Sequence, residues 1–575
     1  MKRFFIIAIA LLCGVFVSAR TLSQQEAAEY ACKFFGNTTS SSIRQVWTGS
    51  STESPAFYAF NRIGGGFVII SAEDAVTPVL GYSYTGTFRV DGMPSNLRGW
   101  FSGLEKDIKT VRDKKIKAGN DVRAEWANVG AKTKGGKSVV LKTAEWDQGS
   151  PYNYYCDIPG GKAVTGCVAT AMAIFMRYME YPAHGTGRVP SYKTSSYGYQ
   201  MTGYSIEDHN YDWSIMPLKS ADVRKASDDA KHAIATLIHD CGMSVYMDYT
   251  KNSSGASDLS IVHALLTNFG YSGSMTLAAK ENFRDISEYY AILKSEIDAG
   301  RPIMYTAADP SAGGHEFIID GYDEDNMWSL NWGWSGSDNG FYTIDLKIPG
   351  SYHFSQRQGA LIGAIPDPEK KTEASVNLLI EERGIKLVSG QVGTEGEFVL
   401  GLDYITNKGY ADYSGNLVMV LVDKDDNIIE QLCKPQKVDI QKATVEGAWY
   451  VYSSFEFTCK LSKPLEFCEG IMLAYQVPGT EDYALVPYPH NSALGRLTAS
   501  PYFIKFDKTE YKAGDTIYLS LIGGAESLTG TTWYYDGVKT AELLHTLTAG
   551  THTIKAEISK SSGAKETIVQ EIIVK

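Results

Sequence analysis

Four residues of this 575-residue sequence, Gln148, Cys167, His315 and Asn331, have the types and the order needed for nucleophilic attack on a carbonyl. Cys167 opens the run TGCVATAMAIFMRYMEYP (165–182), whose apolar residues read as a helix buried on most sides. A thiol at a helix N-terminus sits at the positive end of the macrodipole, which favours the nucleophilic thiolate. Such a thiolate needs a base and a group that orients the base. His315 lies in GGHEFIIDGYD, where Gly313 and Gly314 leave room around the ring. Asn331, in LNWGWSG, falls on a following strand; its side-chain carbonyl would hold the imidazole in the working tautomer, with Trp332 shielding that contact. Gln148, in the turn WDQGSPYN, would donate its amide to the oxyanion together with the Cys167 backbone N–H. Taken singly, each residue has an ordinary reading: a buried structural cysteine, a strand histidine, a turn asparagine, a surface turn glutamine. The four in that order make coincidence a poor account.

Positioning these residues takes a helix and a sheet. Residues 143 to about 366 divide in that way. The first half holds the helix after Cys167 and a second helical pattern over 226–245, and a third follows near 285–300. The second half is strand-like, with PIMYTA, HEFIIDGYD, MWSLNWGW and GFYTID separated by turns, which predicts a twisted antiparallel sheet. Helices followed by a sheet give an α+β domain. Around the four residues, Gly314, Trp334 and Met243 are candidates for a substrate-binding wall. Core packing is the alternative for Met243 and Trp334.

The remainder of the chain frames this domain. Met1 to Ala19 has a charged start, an apolar segment and a small-residue end, the pattern of a secretory signal peptide. Cys13 raises the possibility of lipidation, but Leu12 before it is large for a lipobox. Residues 20–118 predict a small α+β unit, with Ser23 and Glu26 as a capping box, strands near 57–61, 66–74 and 79–83, and a helix over 97–117. Residues 119–142 form a Lys- and Gly-rich connector, read as exposed and cuttable, with Arg123, Lys132, Lys134 and Lys137 as candidate cleavage points. After about 374 helices stop, and two β-sandwich modules of the Ig-like kind are expected over 374–498 and 499–575. The formal net charge of −12 excludes a basic nucleic-acid-binding face. Removal of the signal peptide would leave seven cysteines, an odd number, so at least one thiol stays unpaired.

The segments DQGSPYN, TGCVATAMAIFMRYMEYP, DCGMSVYMDYTKNSSGAS, GGHEFIIDGYD and LNWGWSGSDNGFY closely resemble the streptopain family of bacterial papain-fold cysteine peptidases. His315 and Asn331 follow Cys167 by 148 and 164 residues, close to papain-type spacing. GGGFVIISAEDAVTPVLGYS resembles that family's inhibitory propeptide. The resemblance covers roughly residues 22–366. It implies a secreted zymogen, autocatalytic removal of the propeptide, and an endopeptidase favouring an apolar residue at P2. It also implies Cys167 as nucleophile, His315 as base, Gln148 as oxyanion donor, and Asn331 with Trp332 as the orienting region. Two features depart from streptopain: the glycine-rich loop late in its catalytic domain is here the short GSYHFSQRQGALIGA, and the spacing from Gln148 to Cys167 is short, with Cys156 inside it.

Other chemistries fit less well. The sequence has no CxxC pair for zinc, and HExxH fails because position 319 is Ile319. GWSGS at 333–337 is not the GxSxG of a serine hydrolase. No metal or cofactor is expected, and Asp323, Glu324 and Asp325 read as a solvated turn. Expected partners are protein substrates and the chain's own propeptide, with cell-surface or host components for the C-terminal modules. The main alternative is a catalytically weak adhesin that works through those modules; another Cys–His enzyme, such as an amidase or transglutaminase, is the third reading.

Overall fold

Alternation of apolar residues in the strands and three-to-four spacing in the helices generate one long sheet with helices on both faces. In the computed structural model the described residues are 20–93, 95–130, 138–283, 285–309, 313–348, 357–381, 384–390, 392, 394, 396–444, 449–450, 455–463, 465, 469–490, 495–497, 502–506, 508, 510–523, 528–560 and 565–575. The proposed signal peptide, Lys132, Lys134, Lys137, Cys13 and Cys468 lie outside them.

The front unit starts with α1 (Gln24–Phe34). Its capping box is formed: Ser23 Oγ accepts the Glu26 N–H, and Glu26 returns a carboxylate to the Ser23 N–H. Four antiparallel strands follow, β1 (Ile43–Ser50), β2 (Pro55–Arg62), β3 (Phe67–Ser71) and β4 (Val79–Ser83). Next comes α2 (Ser95–Asp113), which buries Leu97, Trp100, Phe101, Leu104, Ile108 and Val111, one face at helical spacing. The stretch read as an exposed connector contains a third helix, α3 (Asn120–Asn128). Val122 and Trp126 explain it: both are buried in the front unit's core, and Trp126 Nε1–H donates to Val76 O at 2.9 Å. Arg123 thus sits on an ordered helix, bonded to Ala118 O and the Asn120 side chain.

The central unit adds β5 (Ser138–Val140), α4 (Cys167–Met179), α5 (Asp228–Ser244), α6 (Asp258–Asn268), β6 (Thr276–Ala279), α7 (Ile286–Asp298), β7 (Ile303–Asp309), β8 (Gly313–Asp323), β9 (Trp328–Asn331), β10 (Gly340–Tyr342) and β11 (Arg357–Ile362). Its strands continue the front sheet in the order β1-β2-β3-β4-β10-β9-β8-β7-β11-β6, and β5 pairs with β8. The join is β4 with β10, where Tyr82 opposes Phe341 and Gly81 opposes Tyr342. Along β8 the side chains alternate: Phe317 and Ile319 enter the core shared with α2, whereas Ile318 enters the core built on α4 and α5. Val168 to Met176 of α4 are all buried, as an apolar run with no polar face requires. Met243, proposed as a substrate contact, is 1% exposed on α5 and belongs to that core; its place is set by packing against α4.

The C-terminal part is all-β among its described residues. Among its described residues, the first module has two larger sheets around one core, with a small sheet of Leu378–Leu379, Thr406–Asn407 and Trp449–Tyr450 beside them. One holds β12 (Ile385–Ser389), β13 (Phe398–Leu402) and β16 (Phe455–Cys459); the other is centred on β14 (Tyr413–Val422), with β15 (Ile428–Gln431) and β17 (Gly470–Gln476) beside it. This module touches the central unit, with Asn377 Nδ2 donating to Thr276 Oγ1 at 3.1 Å and the His490 N–H donating to Glu281 O at 2.9 Å. The last module has its own core around Ile554, Ala556 and Ile558. Lys117 beside α3 pairs with its Glu542 at 3.2 Å. Among the described residues no helix is long and apolar enough to cross a membrane.

Candidate active site

Gly166 sets the entry to α4. Its φ of +89° suits glycine, and a Cβ there would lie 2.6 Å from Met247 Sδ. Thr170 Oγ1 donates to Gly166 O at 2.9 Å and lies 2.7 Å from Thr165 Oγ1, pinning the turn that presents Cys167. The Gln148 loop is tied to the same turn: the Thr165 N–H donates to Gln148 O at 3.0 Å. Asp147 shapes that loop by accepting the Gln148 and Gly149 N–H groups at 2.7 and 3.0 Å. Gln148 itself is 4% exposed and makes no side-chain hydrogen bond among the described residues, so its amide is uncommitted two residues from the nucleophile's turn.

The Cys167 thiol has donors around it: the backbone N–H groups of Glu316, Val168 and Cys167 itself. They oppose burial, and burial wins, pushing the thiol above its ordinary range. The expected thiolate is therefore disfavoured in this closed state, because the macrodipole works against loss of solvent. Glu316 adds to the effect. This carboxyl is buried at 4% exposure and is itself pushed well up by burial and by Asp258. The sequence reading passed over Glu316; its signal was a charged residue directly after His315 in an otherwise apolar strand.

His315 occupies the other side of β8. Its neighbours in strand alternation, Phe317 and Ile319, face α2, and its ring lies against that helix: a Cβ at Gly99 would be 2.8 Å from His315 Nε2. Only a glycine on α2 leaves space for the imidazole there. Burial lowers its pKa, favouring the neutral ring. Among the described residues no hydrogen bond joins His315 to Cys167 or to Asn331. The structure thus ties the Gln148 loop to the turn before Cys167 and lodges His315 against α2 of the front unit.

Asn331 differs from expectation. It opposes Ile318, not His315, so it shares the α4-side face of the sheet. Its amide is fully engaged: Nδ2 donates to Thr143 Oγ1 at 3.0 Å and to Ala144 O at 2.8 Å, and Oδ1 accepts the Gly333 N–H at 3.2 Å. In this closed state it secures the turn after β9 and makes no hydrogen bond to the imidazole. With no His–Asn contact, Trp332 has none to shield. Its indole is fully buried between the front and central units, with ring centroids 4.7 Å from Phe317 and 6.2 Å from Trp100. Its carbonyl accepts a hydrogen bond from Asn96 Nδ2 of α2 at 2.8 Å. Trp334 is partly buried against the same core, and Gly314 is exposed beside His315. No group of three or more metal-ligating side chains gathers among the described residues.

Comparison with known proteins places this geometry. Residues 146–342 match the Peptidase C10 family, and residues 19–108 match the Spi protease inhibitor. The chain is 31% identical to streptopain of Streptococcus pyogenes over 347 residues, covering 56% of this chain and 84% of streptopain. It is 32% identical over 375 residues to the thiol protease/hemagglutinin PrtT of Porphyromonas gingivalis, covering 61% of this chain and 42% of that protein. Among solved structures, a Prevotella intermedia prointerpain A fragment is 27% identical, with 57% of this chain and 99% of that one covered and a TM-score of 0.47.

Proposed function

This chain belongs to the peptidase C10 family of cysteine peptidases and carries a Spi-type inhibitor unit ahead of the peptidase, and from that premise we propose that it is the exported zymogen of a cysteine endopeptidase. The observation that carries this reading is the place of His315, lodged against Gly99 of α2 while Cys167 lies across β8. An enzyme with its base parked beneath its own propeptide is inactive until that propeptide leaves. The propeptide is the intramolecular inhibitor, and release of α2 frees the imidazole to approach the thiol.

In the mature enzyme the Cys167 thiolate attacks a peptide carbonyl of a protein substrate. The Gln148 amide and the Cys167 backbone N–H stabilise the oxyanion. His315 protonates the leaving amine and then activates water to hydrolyse the acyl-enzyme. Gly314, next to His315 on β8, and Trp334, after β9, are read as substrate contacts, with an apolar residue preferred at P2. Maturation is self-catalysed within residues 119–142, residues 1–19 direct export, and the two Ig-like C-terminal modules bind surface components of cells.

The test is a paired incubation of the chain lacking residues 1–19, wild type beside Cys167→Ala, in reductant. Chain mass and hydrolysis of casein are followed together. The wild type is expected to lose its first hundred-odd residues and gain activity while the variant stays whole and inert. If the wild type stays inert even after trypsin has nicked the linker and the propeptide has been removed, the peptidase reading is wrong.

A further inference from the structure

The two sheets of the first C-terminal module meet at a pair of thiols. After β15 the chain runs through Leu432 and Cys433. Leu432 donates its N–H to Met419 O of β14 at 2.8 Å, and its carbonyl accepts the Lys460 N–H at 3.0 Å. Lys460 follows Cys459, the last residue of β16 in the opposite sheet. That second bond joins the Leu432–Cys433 peptide group to the Cys459–Lys460 peptide group, so the two cysteines flank one hydrogen bond between the sheets. Cys433 lies in the bend after β15 and Cys459 ends β16; residues flanking one antiparallel interchain hydrogen bond have Cα atoms roughly 4.5–5.5 Å apart, inside the range of about 4.4–6.8 Å that a disulfide needs. The two thiols are near enough to influence each other's ionisation; Cys433 Sγ accepts the Met419 N–H at 3.2 Å, and Cys459 Sγ–H donates to Phe457 O at 3.4 Å.

Access separates Cys433 from its buried neighbour Cys459 and from Cys156 and Cys241. Cys433 is half-buried and borders a solvent-open groove of about 640 Å³ lined also by Lys434, Glu456 and Lys460. The neighbouring Cys459 side chain draws the Cys433 thiol below the ordinary range. Cys156 and Cys241 are wholly buried, with thiols pushed up by burial, and no second thiol bonds to either among the described residues.

We propose that Cys433 and Cys459 form a disulfide that staples the two sheets of this module together, leaving Cys156 and Cys241 as thiols. The oxidant is a disulfide carrier of the exporting compartment, either the disulfide form of a protein thiol–disulfide catalyst or a small-molecule disulfide. The Cys433 thiolate attacks one carrier sulfur and expels the other as a thiolate. The Cys459 sulfur then attacks Cys433 Sγ in the mixed disulfide, closing the staple and releasing the second carrier thiolate. Two protein thiols are oxidised, one carrier disulfide is reduced to two thiols, and the protons pass to the released sulfurs.

The experiment uses the full chain with Cys167→Ala, which blocks self-cleavage, incubated with oxidised glutathione, alkylated, and mapped by mass spectrometry without reduction. A linked peptide pair containing Cys433 and Cys459, lighter by two hydrogens than the free peptides, is expected. Cys156 and Cys241 should become alkylated only after denaturation. Calorimetry adds a second readout: reductant should lower the unfolding temperature of the module by about 5 °C or more. In the Cys433→Ser/Cys459→Ser double variant, reductant should leave that temperature unchanged. Free alkylation of both thiols in the oxidised native protein overturns the proposal, as does pairing of either one with Cys468.

Discussion

At the scale of single residues the site is a balance between burial and hydrogen bonding. Gln148 donates to nothing in the closed state, so its amide is preorganised for charge that appears only during reaction. Gln148→Ala should lower kcat of the matured enzyme by about 10²–10³-fold with KM little changed; an unchanged kcat on peptide substrates would remove it from the oxyanion site. Asp320 makes a separate prediction, for stability. Its carboxyl, buried next to Asn331 and accepting Thr143 Oγ1–H at 2.6 Å, is pushed up to about 6. The folded chain therefore holds this proton more tightly than the unfolded chain, whose aspartates titrate near 4. The stability it contributes is fully present below about pH 4 and is lost as pH rises through about 6, on the order of 2–3 kcal/mol. Denaturant unfolding of Asp320→Asn should show a smaller loss between pH 4.5 and 7 than the wild type. Equal slopes would show that the site titrates elsewhere.

At the scale of elements, α2 does the holding. Gly99 and Trp100 are adjacent on it, one making room for His315 and the other packing on Phe317 and Trp332. Gly99→Ala should push the ring or the helix aside, weaken docking of the front unit and shorten the lag before activity in a self-processing time course. Trp100→Ala should do the same through lost packing, at a cost of roughly 3–5 kcal/mol in stability; an unaltered lag in both variants would show that docking is governed elsewhere. Much of this scale was legible from the chain. The capping box at Ser23, the apolar run after Cys167 and the alternating strands around His315 are local patterns, and each became the element expected. What escaped depended on tertiary partners. The α3 helix looks like a connector until Trp126 is seen entering the core. The register that sets Asn331 opposite Ile318 in this closed state cannot be read from the chain. Met243 reads as a subsite residue only while the packing of α4 against α5 is unknown. The thiol looked activated because a helix N-terminus is visible in sequence, whereas the burial around it and the neighbouring Glu316 carboxyl are not.

At the scale of the whole molecule, inhibitor and enzyme share one sheet. The β4–β10 pairing is backed by Tyr82, whose ring stacks on Phe341 at 5.1 Å and whose hydroxyl donates to the buried Asp323 at 2.7 Å. Tyr82→Phe should leave the catalytic chemistry untouched and weaken inhibition of the mature enzyme by a separately added propeptide, about tenfold in inhibition constant for a lost hydrogen bond to a charged group. No change would place the grip on α2 alone. The shared sheet also means that cutting the linker breaks one covalent bond and no strand pairing. The severed propeptide remains a tenant of the sheet until it diffuses off, and whether it returns depends on how crowded the surroundings are. On the proposed zymogen reading, release is metered by dilution: a concentrated pool of nicked molecules would stay quiet, and the same molecules, once dispersed, would begin to work.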